Sequence, residues 1–510
     1  MNFPVLSAIV LAPVIGVLAI LLIPEKEELL IKITAAVATF ISLALSIFIF
    51  LTYDRSVGGV QFVESIPWVD RFGINYTLGV DGMSLPLVLL TSIVIFTGVF
   101  ASWDMHTRIK EFFIFLLALV AGVFGVFVTR DMFFFYLFFE VAVIPMYILI
   151  GVWGSTRKEY AAMKLTLYLL VGSAFALIGI IATFLYAGAP QHLGYLTFDI
   201  EKLATVHYDI AFQKFAFFLM LIGFGFLVPM WPLHTWSPDG HVAAPTAVSM
   251  LHAGVLMKLG GYGIIRLGIF FFPEGAKYWA PLIAVLCIVN VVYGAMVAMV
   301  QKDLKFVIGY SSVSHMGYVL LGIASLNSMG IDGAVAQMFA HGIMTALFFA
   351  LVGNIYHKAH TREIARFGGL AHQMPRVATG FVIAGLASLG LPGLNNFVAE
   401  FLIFVGSFTI DKVVLGFIPF RALSILAILG IVITATYVLR VVQFVFFGPR
   451  KEEWDHLTDA KGIEMVPIVI LISVLILFGL FPAPMTDLIN IGVEPLIAKI
   501  QAAQAIGGVF

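Results

Sequence analysis

Three ionisable residues interrupt long apolar runs. Glu140 follows Phe133-Phe134-Phe135-Tyr136-Leu137-Phe138-Phe139 and precedes Val141-Ala142-Val143-Ile144-Pro145. Lys258 stands in Val255-Leu256-Met257-Lys258-Leu259, and Glu400 in Phe397-Val398-Ala399-Glu400-Phe401-Leu402. A charge at the centre of a bilayer costs at least a few kcal/mol, so such groups face a partner or a wet cavity. Lys164 lies nearer the start of its run, where a lysine can also snorkel to the interface. Five histidines share the apolar segments: His234, His241, His252, His315 and His341. Histidine titrates near neutral pH and passes protons. One intramembrane histidine is ordinarily a helix–helix hydrogen bond, but several in one chain with Glu and Lys point to a relay. A metal at His234 and His241, with Asp239 between them, is the weaker reading, because a loop beside a helix break explains these residues as well. Lys, Glu and His all exchange protons, so the ion that such a pathway moves is most simply a proton. The glycine-rich Lys258-Leu259-Gly260-Gly261-Tyr262-Gly263 lacks the strand–loop–helix context of a phosphate site and reads as close helix packing.

The elements that must hold these groups are membrane helices. Of 510 residues, 61% are hydrophobic and 11% charged, whereas soluble domains are about a quarter charged. A span takes roughly 20 apolar residues. That rule places about fourteen spans, near 4–23, 29–51, 82–102, 112–130, 132–153, 161–187, 212–233, 242–268, 278–300, 304–325, 330–357, 375–410, 419–447 and 464–486. The fold class is therefore an all-α polytopic membrane protein. The apolar stretch after Met1-Asn2-Phe3-Pro4 has no basic region and no small-residue cleavage site, so it is expected to be a retained first helix. The longer linkers, near 52–81, 188–211 and 448–463, are too short for a sizeable soluble domain. Residues 1–510 form one transmembrane domain: N-terminal helices over 1–110, one repeat over 111–270, a second over 271–450, and a C-terminal helix and tail over 451–510. The single cysteine, Cys287, supports neither an intrachain disulfide nor a metal cluster, and a net charge of −1 gives no support for a nucleic-acid partner. Lys and Arg favour one set of alternating loops by about two to one. The positive-inside rule then puts both termini on the outer side of the membrane.

Two spans are interrupted. One carries Pro229 and Pro232 and runs on to Pro238; the other reads Leu389-Gly390-Leu391-Pro392-Gly393-Leu394-Asn395-Asn396. Proline removes a backbone hydrogen bond and breaks or kinks a helix, and in lipid the freed groups need protein or cavity water. Broken helices near 229–238 and 389–396, in comparable halves of the chain, are the pattern of inverted-repeat transporters. Ordinary proline kinks are the competing explanation, and the sequence itself shows no evident self-similarity.

The segment from Pro229-Met230-Trp231-Pro232-Leu233-His234-Thr235-Trp236 to Ala244-Pro245-Thr246-Ala247 closely resembles the signature of the antiporter-like membrane subunits of respiratory NADH:quinone oxidoreductase (complex I). So do Gln301-Lys302-Asp303-Leu304-Lys305 with Ser311-Ser312-Val313-Ser314-His315-Met316-Gly317-Tyr318, and Glu140 through Pro145-Met146-Tyr147. The resemblance covers almost the whole chain, and Glu400, where relatives of other types carry lysine, fits the M type. It implies that Glu140 gates proton uptake, Lys258 is the central carrier, His315 and His341 continue the axis, Glu400 is the terminal carrier, and His234 and His241 are polar residues around the first break. It implies no redox cofactor in this chain, FMN and iron–sulfur clusters in partner subunits, and L-type and N-type antiporter-like subunits as membrane-arm neighbours. The location it implies is a bacterial inner membrane or an organellar energy-transducing membrane.

This sequence departs from the family at Leu227, where a lysine usually pairs with the fifth-helix glutamate. A buried carboxylate without a cationic partner favours its protonated form, so Glu140 is expected to be either neutral at rest or partnered by Lys164. Two other functions compete with the pumping subunit of a redox complex. One is a cation/proton antiporter subunit. The other is a structural spacer, and buried ion pairs are poor evidence of stability.

Overall fold

The computed structural model of the chain describes residues 3–414 and 416–506. Thirteen helices among the described residues are long and apolar enough to cross a membrane. In chain order they begin with α1 (Val5–Leu22) and α2 (Glu28–Thr52), followed by a hairpin, β1 (Gln61–Val69) and β2 (Ile74–Val80). Then come α3 (Ser84–Ala101), α4 (Ile109–Val128), α5 (Met132–Trp153), α6 (Lys158–Gly188) and α7 (Ile210–Leu227). A short helix, α8 (Trp236–Ala243), separates α7 from α9 (Thr246–Ile269). The chain continues through α10 (Pro273–Val300), α11 (Leu304–Ser325) and α12 (Ser328–Ala359). The paired short helices α13 (Pro375–Ser388) and α14 (Asn395–Phe408) make the fourteenth crossing, and α15 (Phe420–Phe446), α16 (Met465–Leu480) and α17 (Ala483–Ile506) complete the chain. Each of the fourteen sequence-predicted spans has its counterpart.

The order of elements is that of a repeat. In the run α4, α5, α6, α7–α8, α9 the fourth crossing is broken, and in the run α10, α11, α12, α13–α14, α15 the fourth is again broken. Five crossings is an odd number, so the second run starts from the opposite side to the first, which makes the two topologically inverted. The helices carrying the chemistry are the most enclosed: α9 and α12 are wholly buried inside the bundle, while α6 and α15 leave most of their surface outward.

The first break is narrower than the sequence suggested. Residues 228–235 leave helical conformation, but helix resumes at Trp236, because Pro238 sits in the first turn, where no backbone donor is needed. Asn290 of α10 supplies what Pro229 and Pro232 remove: its Oδ1 accepts from Trp231 N at 2.5 Å, and its Nδ2 donates to the Pro229 carbonyl at 2.9 Å. At the other end of α8, Arg362 donates to the Val242 carbonyl at 2.9 Å and Lys305 to the Ala244 carbonyl at 2.7 Å. Cations there also suit the negative end of the helix dipole. The second break spans Leu389–Leu394, with Gly390 and Gly393 at φ +61° and +95°, in the left-handed region that favours glycine.

Two elements were not foreseen. The 52–81 linker contains the β1–β2 hairpin, an antiparallel pair running from Gln61↔Val80 to Val69↔Ile74. Glu64 of β1 accepts from the backbone N–H groups of Leu6 and Ser7 at 2.8 and 3.0 Å and so satisfies the open first turn of α1. The segment after 483, read as a tail, is helix α17. Its Met485, Leu488, Ile489, Val493, Leu496 and Ile500 are buried at three- and four-residue spacing, so it lies along the bundle as an amphipathic strap. The hairpin, Asp81, the 189–209 loop and α17 all gather at one end of the bundle, where Lys499 donates to the Ala204 carbonyl at 2.8 Å and Asn490 to Asp332 at 2.8 Å.

Candidate functional site

Lys258 is fully buried on α9 between two π-helical stretches, His252–Leu256 and Ile264–Ile269. π-Turns are frequent at functional sites because they re-aim side chains and free backbone acceptors. Here the Lys258 ammonium donates to the Ala253 carbonyl, five residues back. Its second contact is His341 Nδ1 on α12, at 2.7 Å. Close crossing of the two helices makes that contact possible: a Cβ on Gly342 would come within 2.6 Å of the Gly254 carbonyl oxygen.

From His341 the row continues. The His341 and His315 rings are 5.3 Å apart between centroids. His315 Nδ1 lies 3.4 Å from Glu400 Oε1, and Gln337 Nε2 reaches the same oxygen at 3.2 Å. His315 and Glu400 are 1% and 2% exposed in their side chains, so this carboxylate–imidazole contact sits in a low-dielectric interior. Glu400 starts one turn into α14, and its Oε2 packs against Gly390 of the break, where a Cβ would lie 2.4 Å away. The backbone angle at 390 favours glycine, and a side chain there would displace the Glu400 carboxylate. Behind Lys258, the tilted rings of His241 and His252 pack with centroids 4.1 Å apart, and His241 Nε2 meets Ser237 Oγ at 3.1 Å.

Among the described residues, several atoms along this row have no protein partner: both nitrogens of His252, Nδ1 of His241, Nε2 of His341, Oε1 of Gln337 and Oε2 of Glu400. Buried polar atoms are ordinarily bonded to protein or to water. A row of them beside titratable groups has the capacity to relay protons through bridging water.

The sequence-predicted residues divide into two groups. Lys258, His341, His315 and Glu400 form one connected row, with His241 at its near end. Glu140, Lys164 and His234 stand apart from it. Glu140 is half-buried on α5, whose Leu137, Val141 and Ile144 are exposed on the lateral face. Among the described residues its enclosed Oε1 has no hydrogen-bond partner. Lys164 is not its counter-ion: Lys164 Nζ bonds Asp239 Oδ2 of α8 at 2.7 Å. Of the two alternatives for Glu140, the one that partnered it with Lys164 is thereby removed. The reason is geometric: α8 follows the break and brings Asp239 over the first turns of α6. His234 faces Tyr293 of α10, with ring centroids 5.2 Å apart, and among the described residues neither ring nitrogen has a hydrogen-bond partner. Among the described residues no cluster of three or more His, Cys, Asp or Glu is arranged to hold a metal.

Sequence reasoning missed Gln337, which ties His315 to Glu400, and Asn290. Both are single amides inside apolar helices, and an amide there was a usable signal. It also missed a buried ion cluster at the end of the bundle that carries the strap. Asp81 accepts from Arg266 of α9 and lies 3.1 Å from Arg130, which in turn lies 3.7 Å from Glu201. Burial pushes the Asp81 carboxyl up, but Arg130 and Arg266 override it and hold the group well below the usual carboxylate range.

Two runs of five crossings, each with a broken fourth helix, around a buried Lys–His–His–Glu row, define an ion-translocating membrane bundle. The signature of the NADH:quinone oxidoreductase/Mrp antiporter transmembrane family matches residues 129–426, and the chain belongs to that family. It is 39% identical over 490 residues to NAD(P)H-quinone oxidoreductase chain 4 of Gloeobacter violaceus, covering 95% of this chain and 91% of that one. It is 38% identical over 500 residues to NADH-quinone oxidoreductase subunit M of Rhodobacter capsulatus, covering 95% and 94%. A chain of the respiratory complex I of Thermus thermophilus superposes with a TM-score of 0.86 at 29% identity, covering 99% of this chain and all of that one.

Proposed function

We propose that the chain is the M-type proton-translocating membrane subunit of an NADH (or ferredoxin):quinone oxidoreductase. The observation that carries this is the connected, buried row Lys258–His341–His315–Glu400, crossing from the first repeat to the second between the two helix breaks. Lys258 is the central carrier. It can pass a proton to His341 Nδ1 and become a neutral amine, which needs no counter-charge in the interior. The imidazolium so formed is one ring away from His315, whose Nδ1 lies 3.4 Å from Glu400 Oε1. Glu400 is the terminal carrier. Glu140 is the uptake carboxylate on the lateral face, Lys164 with Asp239 is a separate ion pair beside the first break, and His234 and His241 are polar groups flanking that break. Quinone reduction in other subunits, which would hold the FMN and iron–sulfur clusters, drives the transfers. The neighbours are L-type and N-type membrane-arm subunits, and the two repeats, over 111–270 and 271–450, each supply half of the path. The chain sits in a bacterial inner membrane with both termini outside.

The test is to recover the tagged chain from gently solubilised membranes and assay flavin, iron and quinone reduction driven by NADH or by ferredoxin. Lys258→Ala and Glu400→Ala should assemble but lose proton pumping. A complex of membrane subunits only, without flavin or iron, would move a cation/proton antiporter to first place. Pumping that survives both substitutions would leave a structural spacer.

A further inference from the structure

Gln337 of α12 is fully buried and stands one turn before His341 on the same helix face, so both side chains point into the row. One turn earlier, Gly333 lets α12 approach α14 closely: a Cβ there would lie 2.7 Å from the Ile403 backbone nitrogen. That approach brings the Gln337 amide between the last two groups of the row. Its Nε2 lies 3.4 Å from His315 Nδ1 and 3.2 Å from Glu400 Oε1, and those two atoms are themselves 3.4 Å apart. The three atoms form a nearly equilateral triangle. The other ring nitrogen, His315 Nε2, lies 3.2 Å from Ser388 Oγ. An amide nitrogen carries two hydrogens and accepts none. Donating one to Nδ1 and one to Oε1 requires a neutral His315, with its hydrogen on Nε2 toward Ser388, and an Oε1 that carries no proton. Gln337 Oε1, by contrast, has no hydrogen-bond partner among the described residues. An amide placed only to tie α12 to α14 would gain from using both ends, whereas this one donates to two bases.

We propose that Gln337 is a positioning residue that holds the His315–Glu400 pair in its proton-free form and so favours release of the proton at the last step of the row. This rests on reading the buried row as the proton path. Hydrogen bonds donated to the proton-free form of a group disfavour its protonation. A proton on Nδ1 meets the amide hydrogen head on and breaks that bond. A proton on Oε1 turns a charged acceptor into a weaker, neutral one. Passage from Nδ1 to Oε1 breaks one N–H bond, forms one O–H bond, and turns an imidazolium and a carboxylate into an imidazole and a carboxylic acid. The amide regains Nδ1 at that moment, which opposes the return. The other titratable groups around the pair are His341, 5.3 Å from His315 between centroids, with Lys258 behind it. Tyr318 of α11 and Tyr437 of α15 also face it, but their hydroxyls donate elsewhere, to the Ala427 carbonyl and to Ser311. Among the described residues no Lys or Arg lies within salt-bridge distance of Glu400, which leaves the amide to stabilise the carboxylate.

The test uses the intact complex carrying Gln337→Met or Gln337→Lys. Infrared difference spectra, with the band assigned by Glu400→Gln, read the pH at which the Glu400 carboxylic-acid stretch appears. Membrane vesicles read the protons moved per quinone reduced. Methionine fills the space without donors, so in Gln337→Met the stretch should appear at a pH higher by about one unit or more, the equivalent of one lost hydrogen bond to a charged group. The proton-to-quinone ratio of that variant should fall near neutral pH and recover as the pH is raised. Gln337→Lys keeps donors, so its stretch should appear at or below the wild-type pH. Both substitutions disturb packing, and a packing role would not give shifts of opposite sign. Lost pumping in Gln337→Met with an unmoved stretch, or an upward shift in Gln337→Lys, overturns the role of Gln337 and leaves the row standing. A wild-type titration and a wild-type ratio in Gln337→Met do the same. A shifted stretch with a wild-type ratio at every pH overturns the reading of the row, because the pair then holds a proton that pumping does not use.

Discussion

Lys258 of α9 and His341 of α12 touch, Nζ to Nδ1, at 2.7 Å. They belong to different repeats, and the contact joins the two halves of the row. The lysine is fully buried, and its other contact is a backbone carbonyl rather than a carboxylate. Among the described residues no acidic side chain lies within salt-bridge distance of it. Placing an amine there costs several kcal/mol if it is charged, so the position is retained for something other than stability.

Lys258→Met should therefore abolish pumping without loosening the protein. Methionine fills similar volume and needs no hydrogen bond. Leaving His341 Nδ1 unpaired costs about 1–3 kcal/mol, and removing a buried ammonium offsets that. Thermal unfolding of the solubilised complex should occur at or above the wild-type temperature while the proton-to-quinone ratio falls. A lowered unfolding temperature with pumping retained would invert the assignment.

Asn290→Ala tests how the first break is held. The substitution strands the Trp231 N–H and the Pro229 carbonyl in a dry interior. Each stranded group costs about 1–3 kcal/mol, and water has little room to replace an amide packed between α10, α11 and the break. The variant should unfold at a lower temperature, and proteolysis should reach the 228–235 segment sooner than in wild type. Asn290→Asp keeps the acceptor for Trp231 and loses the donor to Pro229, so it should fall between the two.

The ion cluster around Asp81 gives a pH dependence with a definite sign. Its carboxyl is held below its ordinary value of 3.8. A depressed folded-state pKa contributes stability that is present above the unfolded value and lost as pH falls through the folded one. Arg266→Leu leaves only Arg130 beside the carboxylate. Breaking a buried pair in this way costs about 3–5 kcal/mol, and the carboxyl then takes up its proton at a higher pH. Unfolding temperatures measured from pH 7 down to pH 3 should begin to fall earlier in Arg266→Leu than in wild type. Parallel curves would mean that Arg266 does not hold Asp81.

The crossings were legible in the sequence because a bilayer leaves only one solution for a long apolar run, and all fourteen were placed. Lys258, His315, His341 and Glu400 were legible because a polar side chain in such a run is expensive. The hairpin and α17 were not. Neither is a long unbroken apolar run, and the period in Leu488, Ile489, Val493, Leu496 and Ile500 is visible only once a surface exists for it to face. The π-turns around Lys258 were equally hidden, since nothing in His252–Leu256 distinguishes a π-turn from an α-turn until α12 packs against it. Spacing along the chain gave no information on which carboxylate Lys164 would meet. Asp239 is 75 residues away in sequence and reaches Lys164 only because the break turns α8 back across α6.

That last contact yields a prediction about Glu140. With leucine at 227 and Lys164 engaged by Asp239, the lysine is committed to a carboxylate on α8 and not to the one on α5. Lys164→Met should therefore shift the Asp239 carboxylate stretch in infrared difference spectra and leave the Glu140 band where it stands in wild type, with Asp239→Asn and Glu140→Gln assigning the two bands. Lys164 is partly exposed in its side chain (17%), as is Asp239 (29%), so the stability cost of losing the pair is small, about 1 kcal/mol or less. Leu227→Lys supplies the complementary measurement. It places a cation on α7, and if that lysine reaches Glu140 the Glu140 band moves while the Asp239 band stays. A Glu140 band that moves on Lys164→Met and ignores Leu227→Lys would mean that the lysine on α6 serves both carboxylates in turn.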